Sequence, residues 1–306
     1  MSFKEDFLSA LHQKGLLKVL RYALEALGFT FLLVIFRCLP LEAASHLGGV
    51  IGRTLGPRLG IHRRARKNLA RALPEMTQAR HEATLLGMWE NLGRIIAEYP
   101  HLKKFANGKR FIIEGIEEVW RLRDDGKPGI FVGAHLGNWE MSPILTQAHG
   151  LPLGIAYRNP NNPFVAALLD FARRPLSPTR MAKGSEGGMA LARYLKKGGH
   201  LGILVDQKMN EGLKLKFFGR DAMTAPAVAA MALRLDVPMV MIRTQRLKAT
   251  RFRISFERMP TAGEKNDPAA EAKIMQAIND RLEAWIRDDP AQWLWLHNRW
   301  VEEKKA

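Results

Sequence analysis

The chain has 306 residues, enough for one large α/β domain or two small ones with ample core. Its formal net charge of +17 calls for an acidic partner or surface, and nucleic acid, anionic lipid and an acidic carrier protein all qualify. The single cysteine, Cys38, excludes an internal disulfide framework and a cysteine zinc site and suits a reducing compartment.

Apolar residues concentrate between Tyr22 and Pro40, interrupted by Glu25 and Arg37. The uninterrupted part falls short of the roughly 20 residues of a simple span. The run begins late and no small-residue cleavage site follows it, which argues against a cleaved leader. Arg58, Arg63, Arg64, Arg66, Lys67 and Arg71 come next, and basic residues beside a membrane segment tend to stay cytoplasmic and bind anionic headgroups. Residues 1–40 therefore read as a membrane anchor, either a tilted span or a helix in the interface, and 41–306 as a catalytic domain. A buried core helix followed by a solvated basic face is the plainer alternative.

Helices are expected over 62–72 and 76–105. Apolar, β-rich runs then recur at 129–134, 152–157, 201–206 and 238–244, with helical stretches at 162–173, 187–197 and 226–235 between them. A later strand is expected at 252–257 and a C-terminal helix at 269–287. Short apolar strands alternating with helices predict an α/β fold: a mostly parallel central sheet flanked by helices, with the N-terminal membrane-associated helix outside it.

Directly after the first apolar run stands "HLGNWE", His135 to Glu140. Five residues apart, the two ionisable groups cannot share a helix face or one side of a strand, so they meet only if the chain bends between them. Gly137 offers the bend, and Asn138 suits the cap of a helix starting at Trp139. His135 would then sit in a tight loop and Glu140 in a first helical turn, outside the carboxyl end of a strand, where open α/β sheets carry reactive groups. A histidine supported by a carboxylate is the arrangement that activates a hydroxyl. Arg158 in "AYRNPNNPF" follows a second strand and could fix a phosphate or stabilise negative charge. Asp206 and Gln207 in "LVDQKMNEG" follow a third. Each has an ordinary loop explanation alone; together they describe one cleft.

Other chemistries lack their signatures. There is no G-x-S-x-G elbow, Walker loop or G-x-G-x-x-G after a strand; "KGSEGG" at 183–188 is Gly-rich before a helix and could cradle a phosphate, with a plain loop the simpler reading. His62, His81, His101, His149 and His200 show no ligand spacing, which argues against a metal hydrolase. No nucleic-acid motif is present, and Gln292 to Trp300 reads as core and interface aromatics.

"AHLGNWE", "YRNPNNPF", "GILVDQKMNEG", "FFGRDAMTAPAVAAMALR" and "QWLWLHNRW", in this order and joined by the apolar N-terminal segment and "MWENLGRIIAE", resemble the lipid A late acyltransferases of Gram-negative bacteria, within the lysophospholipid acyltransferase superfamily. The resemblance spans nearly the whole chain. It departs from the family's pattern where Asn298 precedes Arg299 after the histidine of the last motif.

The resemblance implies acyl transfer from an acyl carrier protein thioester to the hydroxyl of a 3-hydroxyacyl chain on a lipid A precursor. His135 would take the hydroxyl proton and Glu140 would orient the imidazole. Asn138 would shape the turn, Arg158 would hold substrate or oxyanion, and Asp206 with Gln207 would line the substrate side. No metal or organic cofactor is implied, because the thioester carries the activated acyl group. The implied partners are acyl carrier protein, lipid A precursor and the anionic lipids of the bacterial inner membrane at its cytoplasmic face, with no nucleic acid. Two rivals stand beside this reading: an acyltransferase of the same superfamily using a glycerophospholipid or aminolipid acceptor, and a nonenzymatic basic membrane- or nucleic-acid-binding protein.

Overall fold

The computed structural model describes residues 15–157, 160–182, 185–261, 263 and 267–300. The N-terminal part is helical, with α1 at Leu16–Cys38, α2 at Leu41–Leu55, α3 at His62–Ala72 and α4 at Gln78–Glu98. α1 turns two faces to different surroundings. Val19, Tyr22 and Ala26 are buried against Phe164, whereas Leu20, Leu24, Leu27, Phe31 and Val34, spaced alternately by four and three, are more than half exposed. α1 is long and apolar enough to cross a membrane.

α2 has no counterpart among the expected elements. Its glycines weaken the helical signal, and the structure shows what they are for: a Cβ at Gly48 would stand 2.4 Å from the Gly93 carbonyl oxygen, and one at Gly52 2.2 Å from that of Trp89. Small residues let α2 and α4 pack backbone to backbone. Thr77 caps α4 by accepting from the Arg80 amide at 3.3 Å. The helix expected through residue 105 stops at Glu98, where Pro100 opens a 3-10 segment, Tyr99–Phe105.

The remainder alternates strand and helix: β1 Phe111–Glu114, α5 Glu117–Asp124, β2 Gly129–Gly133, α6 Met141–Ala148, β3 Leu153–Tyr157, α7 Pro163–Ala172, β4 Arg180–Ala182, α8 Ser185–Lys196 and β5 His200–Leu204. An antiparallel hairpin follows, β6 Lys208–Phe217 with β7 Arg220–Thr224. Then come α9 Ala227–Leu235, β8 Met239–Lys248, β9 Arg251–Met259 and α10 Pro268–Asp288. One seven-stranded sheet has the order β1-β9-β8-β2-β5-β3-β4, and every neighbouring pair is parallel except β8 with β9. The fold is thus α/β with a mostly parallel sheet flanked by helices. The hairpin β6–β7 lies outside that sheet and was not expected.

Residue alternation assigns the two sheet faces. Ile130, Val132, Leu201, Ile203, Met239 and Met241 enter one core with α10 and the C-terminal tryptophans. Phe131, Leu153, Val240, Ile242, Phe252 and Ile254 enter the other, with α6. β2 is buried along its whole length, as a central strand covered on both faces must be. The carboxyl ends of β2, β3, β5 and β8 emerge at one edge, beside the amino ends of β1 and β9.

Candidate active site

His135 lies two residues beyond β2, at that edge. The loop after it is pinned from several sides: Leu136 bridges Trp293, the Gly137 amide donates to the Gln292 carbonyl at 3.0 Å, and Asn91 Nδ2 donates to the Gly137 carbonyl at 2.8 Å. Gly137 has φ +59°, and a Cβ there would meet the Thr244 carbonyl oxygen at 2.2 Å, so only glycine makes this bend.

The helix begins later than expected. α6 starts at Met141, with Glu140 in the cap position, not at Trp139 with Asn138 as cap. Asn138 forms a tight turn instead, its Oδ1 accepting from the Glu140 amide at 3.2 Å, while its Nδ2 donates to Glu98 Oε2 at 2.7 Å. Glu98 is fully buried and also accepts from Ser45 Oγ at 2.7 Å and from both terminal nitrogens of Arg246, at 2.6 and 3.0 Å. Arg246 Nε reaches Asn91 at 2.8 Å. This buried network ties α2, α4 and β8 to the loop that carries His135.

The imidazole Nδ1 donates to Asp206 Oδ1 at 2.8 Å, and the His135 backbone amide donates to Asp206 Oδ2 at 2.9 Å. Trp293 Nε1 donates to the same Oδ2 at 2.8 Å. Asp206 is buried at the end of β5. Burial pushes its carboxyl up, but the charge and hydrogen bonds of His135, with the nearby His297, outweigh that and hold it well below the usual carboxylate range. A carboxylate that stays ionised fixes the proton on Nδ1 and leaves Nε2 as the basic nitrogen. The ring packs edge-on to Trp139 at 4.9 Å between centroids and lies 5.1 Å from His297, whose Nε2 is 3.2 Å from Gln207 Nε2.

The Glu140 carboxylate, expected to orient the imidazole, is bonded elsewhere. Its Oε1 accepts from Tyr99 Oη at 2.5 Å and from Arg173 Nε and Nη2 at 2.9 and 2.6 Å. The start of α6 turns the carboxylate towards α7 and the 3-10 segment, so the support of the imidazole comes from Asp206. Tyr99 also accepts from Arg173 Nη2 at 2.9 Å. Burial, then the Glu140 charge, pushes the Tyr99 phenol well up and keeps it a donor. Burial lowers Arg173, but the Glu140 and Tyr99 contacts outweigh it and raise the guanidinium above its usual range.

His135, Trp139, Glu140, Arg173, Arg180 and Gln207 line one pocket. It continues between α6 and the sheet past Phe131, Gly133, Leu153, Ile155, Gly202 and Ile242, so a polar mouth opens onto an apolar interior. Asp206 closes the mouth from behind. Of the expected residues, the structure brings together His135, Asn138, Glu140, Asp206 and Gln207; Arg158 lies outside the described residues. Arg173, Tyr99, Trp293 and His297 were missed. Trp293 and His297 stand in "QWLWLHNRW", where Trp293, Trp295 and Trp300 are indeed buried, but the indole of Trp293 also has a polar task. Arg299, beside the departure at Asn298, is fully buried and bonds Thr224, Asn279 and the Met223 carbonyl; burial pulls it down to about 10 against the Asp206 charge. Among the described residues, no group of three or more His, Cys, Asp or Glu could hold a metal ion.

The strand-end histidine, the buried carboxylate behind it and the apolar pocket in front suit acyl transfer, and comparison with known proteins agrees. A search of curated proteins finds no match for the chain. The model of the bacterial lipid A biosynthesis acyltransferases matches residues 11–302, nearly the entire length. The chain belongs to the bacterial lipid A biosynthesis acyltransferase family.

Proposed function

We propose that the protein moves a fatty acyl chain from acyl carrier protein to the hydroxyl of a 3-hydroxyacyl chain on a lipid A precursor, with His135 as general base. The observation that carries this reading is the Nδ1 bond to Asp206 at the mouth of an apolar pocket. His135 Nε2 removes the hydroxyl proton as the oxygen attacks the thioester carbonyl. The tetrahedral intermediate collapses to the new ester, and the departing carrier thiolate takes the proton back from the imidazolium. Asp206 stabilises that imidazolium. Arg173, held flat against Glu140 and Tyr99, places positive charge at the mouth for the developing oxyanion. The donor chain fills the pocket between α6 and the sheet. The thioester already carries an activated acyl group, so the chemistry needs no metal or organic cofactor.

The exposed apolar stripe of α1 and the basic residues from Arg58 to Arg71 support a place on the cytoplasmic face of the bacterial inner membrane. Residues 1–40 then serve as anchor and 41–306 as catalytic domain. The charge is met by anionic lipid, acidic carrier protein and phosphorylated acceptor, without nucleic acid. The test is direct: the full chain in mixed micelles, given acyl carrier protein thioester and lipid A precursor, should yield a product heavier by one acyl ester. Transfer to a glycerophospholipid or aminolipid, with none to lipid A precursor, would overturn the acceptor assignment.

A further inference from the structure

A second cavity opens at the same sheet edge, between the start of β1, the β8–β9 turn and the start of α2. Its volume of about 700 Å³ has room for a sugar phosphate, not merely a lone anion. Lys109, Arg110, Lys248 and Arg251 line it against a single acid, Glu42. Arg110 is held in place by Glu42 at 2.6 Å and Thr250 Oγ1 at 2.6 Å. The side chains of Lys109, Lys248 and Arg251 make no ion pair or hydrogen bond among the described residues, so their three charges are uncompensated. Backbone hydrogen bonding lowers the Glu42 carboxyl, and although burial opposes this, the charges of Arg110 and Lys104 add to it, so the acid stays ionised and Lys104 belongs to the same positive field. Such a field is built for a doubly charged oxyanion.

The position narrows the ligand. Thr244 lines the acyl pocket, and Lys248 lies four residues further along β8, at most about 14 Å away at roughly 3.4 Å per residue. The cavity also lies near the C-terminal end of α1, since Glu42, which lines it, stands four residues after Cys38, where α1 ends. A lipid lying along α1 would bring its headgroup to this level.

Resting on the acceptor reading above, we propose that this cavity binds a phosphate of the acceptor glycolipid headgroup while an acyl chain of the same molecule reaches His135. The experiment is steady-state transfer by the full chain at saturating donor, with the bisphosphorylated acceptor and with each of its two monophosphorylated forms. The parent protein is compared with Lys109→Ala/Lys248→Ala/Arg251→Ala and with the single Lys248→Glu. The triple variant should raise the acceptor KM about tenfold or more, leave kcat near parental, and change little for the acceptor lacking the phosphate that lodges here. Lys248→Glu should act in the same direction. Equal shifts for all three acceptors would overturn the proposal. So would a rise confined to the KM of the acyl carrier protein donor, which would mark a carrier-docking surface, or weaker binding to phosphatidylglycerol vesicles with acceptor KM unchanged, which would mark a bulk-lipid contact. A parent that transfers to no lipid A precursor at all would instead overturn the functional reading on which this one rests.

Discussion

Asp206 grips His135 twice, accepting the imidazole Nδ1 at 2.8 Å through one oxygen and the backbone amide at 2.9 Å through the other. The carboxylate therefore fixes both the tautomer and the place of the ring. Asp206→Asn keeps the shape but removes the charge that selects the Nδ1 proton. Its kcat should fall on the order of 10²- to 10⁴-fold with the fold retained by circular dichroism. A folded Asp206→Asn variant with parental kcat would show that the imidazole needs no such partner.

Glu140 works on Arg173, so Glu140→Gln should behave differently. It leaves a largely buried guanidinium without its counter-charge, a loss of about 3 kcal/mol or more in stability by denaturant titration. Activity should drop because Arg173 swings away, yet the pH–rate profile should keep its parental shape, since Asp206 still holds the imidazole. A Glu140→Gln profile that changes shape as that of Asp206→Asn does would return Glu140 to the role of orienting carboxylate.

This contrast marks how far the sequence could be read. His135, Asp206 and Gln207 were legible because they follow apolar strands, and parallel strands deliver their carboxyl ends to one edge. Gly137 was legible because a bend was required between His135 and Glu140. The partner of the imidazole was not, since the separation of 71 positions between His135 and Asp206 is closed only once the strand order sets β2 beside β5. Arg173 closes a helix that by sequence ends in ordinary basic residues. α2 was hidden because its glycines serve packing, and the start of α6 was misjudged because Asn138 spends its amide on the buried Glu98.

Gly202 forms part of the wall of the pocket proposed to hold the donor chain, and a Cβ there would press on Leu153 at 3.2 Å, with the Gly154 carbonyl oxygen at 3.9 Å. Gly202→Val should therefore narrow the pocket and shift donor preference towards shorter acyl chains. Each methylene excluded costs the parental donor about 0.8 kcal/mol, roughly fourfold in kcat/KM. Competition between carrier-bound donors of graded length reads this out; an unchanged preference order would remove the pocket as the acyl site.

Three histidines away from the site tie stability to pH. His101 donates Nε2 to the Phe36 carbonyl and has a buried, unpartnered Nδ1; His200 donates to the Leu122 carbonyl at 2.9 Å; His62 Nδ1 accepts from Trp89 Nε1 at 3.0 Å. Burial pushes all three down from the ordinary imidazole value. The unfolded chain then binds more protons, so their contribution is full above about pH 6.5 and is lost as pH falls below it. Thermal unfolding should show Tm falling by on the order of a few degrees between pH 7 and 5. A Tm that rises over this interval would contradict the assignment of neutral imidazoles, buried at His101 and half-buried at His62 and His200.

The role of His135 as general base is tested by the single-turnover rate of acyl transfer by His135→Ala, with lipid A precursor and acyl carrier protein thioester both saturating and the variant's fold verified. With the base removed and Arg173, Glu140 and the pocket intact, the rate should fall by about 10²- to 10⁴-fold with donor binding preserved. A folded His135→Ala protein that transfers the acyl chain at the parental rate would contradict that role.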